Sequence, residues 1–129
     1  MKNDIIMQSI AAKISENIKY PITFNSPENN DFNENQAGLY FDGITCDSEN
    51  LRKYHNFKFR FFAFDNQLPI RICVQVEKLL RTMIPETFTD SDGNEFNFRY
   101  CRSSSISAGV TNLSGIVWFF AELKFSIEI

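Results

Sequence analysis

The chain has one histidine, His55, and three widely spaced cysteines, Cys46, Cys73 and Cys101. A lone histidine does not make a multi-ligand metal site, and no serine or cysteine beside it suggests a nucleophile–base pair. No two cysteines have the C-x-x-C spacing of a zinc or dithiol motif, so buried free thiols in a reducing cytosol are expected. Asp90 to Glu95, "DSDGNE", has the composition of a calcium loop. With Gly93 at the loop's sixth position, the first ligand falls on Phe88 and the twelfth on Arg99, and neither meets the coordination rule. A hairpin turn is the better reading. The glycines are scattered singly, so there is no phosphate-cradling loop. "RKYHNFKFRFF" interleaves cations and rings as a single-strand nucleic acid platform does. The net charge of −3 favours a strand with core aromatics and solvated cations instead. The chemistry therefore reads as no enzyme, no cofactor and no metal.

The elements that hold these residues follow from periodicity. Ile6, Ile10, Ile14 and Ile18, with Met7 and Ala11, form one helical stripe, which Asn3 is placed to cap and Pro21 to end. "PITFN" is a short edge strand, and Ser26 to Gln36 is a polar loop whose length hints at an interaction role. "AGLYFDGIT" is a strand with Gly43 at a bulge. In "YHNFKFRFFAFDN", Phe57, Phe59 and Phe61 share one face, and Lys58, Arg60, Phe62 and Phe64 the other. A second helix follows, capped at Asp65 or Asn66 with Pro69 in its first turn. Its stripe is Ile72, Cys73, Val76, Leu79, Leu80 and Met83, and Pro85 lies beyond its end. Residues 86–102 read as a hairpin with Gly93 left-handed and Phe88 opposite Phe96. "SSSISAGVTNLSG" reads as a loop or a weak edge strand. The last stretch alternates Phe119, Ala121, Leu123, Phe125 and Ile127 against Phe120, Glu122, Lys124, Ser126 and Glu128.

The 129 residues, 43% of them hydrophobic and fourteen of them Phe, suit one domain. The expected fold class is α+β: a single domain over residues 1–129, with two amphipathic helices on one face of a largely antiparallel sheet. The opposite face keeps Phe62, Phe64, Trp118 and Phe120 among its charges. An apolar remainder of that kind marks an interface. Between Lys19 and Arg52 there are six acidic residues and no Lys or Arg. Glu28, Asp31 and Glu34 on that side, and Arg52, Lys53, Lys58 and Arg60 just after it, form candidate complementary patches on neighbouring copies. No run is long enough to span a bilayer, and the start lacks the apolar stretch of a signal peptide.

This layout resembles the tail-terminator (tail-completion, or minor capsid) proteins of long-tailed bacteriophages. The resemblance lies in the opening helix "MKNDIIMQSIAAKISENI", then "YPITFN" running into an acidic loop. It continues in the long strand "NFKFRFFAFDN" leading directly into "QLPIRICVQVEKLLRTM", and ends in the closing strand "WFFAELKFSIEI". It implies a structural virion protein of the tail and neck, made in the host bacterial cytoplasm. Its copies would form a homomeric ring, usually a hexamer, that caps the tail tube and ends its polymerisation. The partners implied are the tube protein and the head–tail connector, with DNA only in transit and no membrane. Two other classes stay open. One is a small-ligand domain of cystatin-like or nuclear-transport-factor-like type, which needs polar groups converging in an apolar pocket. The other is a bacterial immunity or adaptor protein.

Overall fold

Helix α1 (Lys2–Ile18) buries the expected stripe, with Ile6, Ile10 and Ile14 at 1% exposure or less. Asn3 lies inside this helix, which begins at Lys2, so it is not the cap. At the other end Lys19 takes a positive φ of 66°, and its N–H donates to the Ser15 carbonyl at 2.9 Å. The Ser15 hydroxyl donates to the Tyr20 carbonyl at 2.7 Å, so both chain directions are fixed before Pro21.

A computed structural model describes residues 2–24, 35–46, 53–82, 86–89, 93, 95–113 and 115–128. After α1 come β1 (Ile22–Phe24), β2 (Gln36–Cys46), β3 (Lys53–Ala63), α2 (Leu68–Thr82), β4 (Glu86–Thr89), β5 (Glu95–Leu113) and β6 (Ile116–Glu128). The strands form one sheet in the order β1-β2-β3-β6-β5-β4. Every pairing is antiparallel except β1 with β2. The chain is thus an α+β domain, as its pattern implied.

The parallel β1–β2 pair gives the polar loop a topological task. Phe24 lies beside Leu39 and Ile22 beside Ala37, so the chain must return along the strand before β2 starts. Parallel neighbours need a connection of about a dozen residues, where a hairpin needs two. The loop's length is therefore required by topology and does not by itself indicate an interaction. The loop residues 25–34 lie outside the described residues, as do the acidic candidates Glu28, Asp31 and Glu34 among them.

Strand β3 is central and alternates as its sequence does. Phe57, Phe59 and Phe61 are at 0–1% exposure, under the helices. The rows across the sheet are regular, for example Leu39, Phe59, Leu123 and Ile106. Phe57 stacks on Phe125 at 5.5 Å, and Phe61 meets Tyr20 edge-on at 4.9 Å. Helix α2 buries Ile72, Cys73, Val76 and Leu80, with Leu79 half-buried, while Met83 and Pro85 lie outside the described residues. The Asp65 carboxylate accepts from the Gln67 N–H at 2.7 Å, and the Gln67 carbonyl accepts the helix's first bond from Arg71. Asp65 therefore shapes the turn, while Gln67 occupies the cap position. The helices are tied by Gln75, whose amide donates to the Asn17 side chain and carbonyl at 2.9 and 3.2 Å.

Two turn readings hold. Gly43 sits at a register shift between Phe41 and Ile44 with a φ of 96°. Phe88 pairs with Phe96, and Gly93 has a φ of 84°. One reading is overturned. "SSSISAGVTNLSG" is not a loop: Ser103 to Leu113 is strand, paired with β6 down to Leu113 opposite Ile116. Its small polar residues have little strand preference of their own, and pairing with the strongly patterned β6 decides their state. The tight turn after it is set by Gly115, with a φ of 80°, whose N–H donates to the Asn112 side chain at 3.0 Å.

Cys73 is fully buried, and burial, then the charge of Glu122, pushes its thiol up to about 12. Cys46 is exposed. An alkylating reagent at neutral pH is expected to label Cys46 in the native protein and Cys73 only on unfolding, read by mass spectrometry. The sign of the pH effect follows. A thiol held protonated in the fold ionises once the chain unfolds, so stability falls as pH rises past the ordinary thiol range.

Candidate functional site

The sheet face away from the helices carries every polar candidate on β3. Its rows are read from the register: Phe62 beside Phe120, Arg60 beside Glu122, Lys58 beside Lys124, and Asn56 beside Ser126. Asn56 joins three strands. Its amide donates to the Gly43 carbonyl and to Thr45 Oγ1, and its Oδ1 accepts from the Ser126 hydroxyl at 2.6 Å. The β2 bulge is thereby pinned to the centre of the sheet.

The charges on this face are matched inside the chain. Arg60 Nε donates to the Glu122 carboxylate, and its guanidinium lies 5.0 Å from the centre of the Tyr40 ring. Burial pulls the Arg60 pKa down, but the hydrogen bond and charge of Glu122, with Tyr40, outweigh it and hold it above its ordinary value. Glu122, 8% exposed, also has the Lys124 ammonium at 4.0 Å. Lys58 sits 3.6 Å from Asp42 of the adjacent strand. Cations on a central strand need such neighbours, because Lys58 and Lys124 stand directly opposite each other. The reading of Lys58 and Arg60 as a patch for the acidic segment of a neighbouring copy is corrected accordingly: their acids come from β2 and β6 of their own chain. Lys53 is exposed at the start of β3, and Arg52 lies outside the described residues.

The apolar part of this face is also corrected. Phe62 at 3% and Trp118 at 0% are buried within one chain and form a second small cluster, with Phe120 half-buried against it. Phe62 and Phe120 lie with ring centres 6.0 Å apart, and Phe64 stacks on Trp118 at 4.1 Å and 20°. Phe120 also lies over Gly109, where an added Cβ would come within 3.1 Å of its ring, so glycine is the residue that admits it. What stays open to solvent is Phe64, at 51% exposure.

Phe64 belongs to a wider apolar end of the molecule. It follows the last residue of β3, and Ile70 in the first turn of α2 follows it. The β5–β6 hairpin runs three rows past the Ala63–Phe119 pair that ends β3, and Val110, Ile116 and Val117 lie on this end of it. All five side chains are exposed. They lie on different elements, and chain order gives no sign that they gather. A cavity of about 260 Å³ opens on the face away from the helices, lined by Arg60, Phe62, Ser107, Thr111, Phe120 and Glu122.

His55 is buried on the helix side, near the Phe41 ring at 6.2 Å. Among the described residues no cluster of His, Cys, Asp or Glu could hold a metal ion, and no helix is long and apolar enough to cross a membrane. No protein-family model and no curated protein matches the chain.

Proposed function

We propose that the chain is a structural subunit of a phage tail, one copy of a homomeric ring that caps the tail tube, ends its polymerisation and meets the head connector. It acts by assembly, without catalysis. The observation that carries this reading is the exposed apolar end formed by Phe64, Ile70, Val110, Ile116 and Val117, on an otherwise well-covered α+β domain. Apolar groups gathered at one end of a small domain fit a protein contact better than a solvated surface. The element order agrees with the resemblance stated for the sequence.

The test is light scattering at tens of micromolar, with electron microscopy of tails assembled with and without the protein. Multimers in solution, or a ring at the tube end, are expected. Phe64→Ala is expected to weaken assembly while costing the monomer only about 0.5–1.5 kcal/mol, the value of one aromatic pair. A chain that is monomeric in solution and absent from tube ends would end the reading.

A further inference from the structure

The geometry points to the mode of subunit contact: the outer edge of β5 in one copy pairs, as an added strand, with the β1–β2 edge of the next copy. The inference rests on the ring reading and deepens it. β5 is 19 residues long, but β4 pairs with only Glu95–Phe98 of it. From Arg99 to Leu113 no described strand lies on its outer edge. An open edge is normally defended by charges, proline, bulges or brevity. The stretch Ile106 to Leu113 has no charge and no proline, and it pairs with β6 in unbroken register. At about 3.3 Å per residue it exceeds the length of an ordinary strand.

Charge selects the occupant. The other edge of the sheet is β1 with β2, and from Tyr20 to Leu51 the chain holds six acidic residues and no Lys or Arg. From Phe96 to Ala121 its only charges are Arg99 and Arg102. Unlike edges attract and two β1–β2 edges repel, so a second copy docks head to tail. A head-to-tail contact repeats, and it closes into a ring where its rotation allows. The cavity beside this edge, with Ser107 and Thr111 as its β5 wall, has room for side chains that the added strand projects onto that face.

The experiment is amide hydrogen exchange on the full chain across a dilution series, alongside light scattering, for the wild type and Val110→Lys. Val110 is 60% exposed, so the variant is expected to fold, and circular dichroism checks that it does. In the assembled wild type, amides in Ile106–Leu113 are expected to exchange roughly tenfold or more slowly than in the dilute monomer. Val110→Lys is expected to weaken association roughly tenfold or more. Multimers whose β5 amides exchange as in the monomer would overturn the edge contact and leave the ring reading standing. A dimer that grows no further, with β5 protected in both copies, would overturn the head-to-tail form. Strict monomers throughout would overturn the contact and leave the ring to depend on the tube end. β5 protection in multimers that do not cap tubes would keep the contact and end the tail reading.

Discussion

Phe61→Ala is expected to destabilise the domain by about 3–5 kcal/mol, the usual cost of emptying a buried phenylalanine site. Phe61 has no exposure, sits between Ala37 and Ala121 in its row, and has the Tyr20 ring against its edge. Its small neighbours leave no large side chain in the row to close over the space. A domain of this kind holds only about 5–15 kcal/mol in total. Thermal unfolding followed by circular dichroism is expected to show a midpoint lower by roughly 10 °C or more. A midpoint within a degree or two of wild type would mean that Phe61 is not where the helices meet the sheet.

Trp118→Ala is expected to cost a similar amount, about 3–5 kcal/mol, and to do so in the isolated monomer. Trp118 has no exposure although it lies on the face away from the helices, covered with Phe62 and stacked by Phe64. It is the only tryptophan, so wild-type fluorescence reports its surroundings directly. A blue-shifted emission that is the same at every protein concentration is expected, moving red on unfolding. Emission that is red in dilute solution and turns blue only on assembly would mean that a neighbouring copy covers the ring, as the sequence alone suggested. Phe64→Ala is the natural control: it removes the exposed partner of the same stack and leaves the buried one.

The parts of the fold legible in the sequence were those with strong local periodicity. The isoleucines of α1, the alternating phenylalanines of β3 and the run from Phe119 to Ile127 each name their buried face without help. Phe88 opposite Phe96 was legible because one hairpin register pairs two rings. β5 was not, because serine, alanine and glycine state no preference and β6 imposes the strand. The Ser114–Gly115 dipeptide between two strand-forming runs was the available signal for a hairpin there. At the candidate site, alternation placed Phe62, Phe64, Trp118 and Phe120 on the correct face. It could not tell the buried pair from the exposed ring, because cover depends on residues distant in the chain. Arg60 and Glu122 are 62 positions apart, so a sequence shows an unmatched cation where the fold has a matched one.

The strand order also bears on how the protein is made. β6 emerges from the ribosome after the other five strands, yet it lies between β3 and β5 and joins them. Until it is translated, β3 has only β2 beside it, and an aromatic-rich edge faces the cytosol. The nascent chain holds two sub-sheets with no seam between them. Completing the domain means inserting one strand between two waiting edges, with partners such as Ala63 and Phe119 far apart in sequence. Such non-local closure is slow compared with helix or hairpin formation. The interval between translation and insertion is when this chain most needs a holding chaperone, and when crowding of identical nascent chains is most hazardous to it.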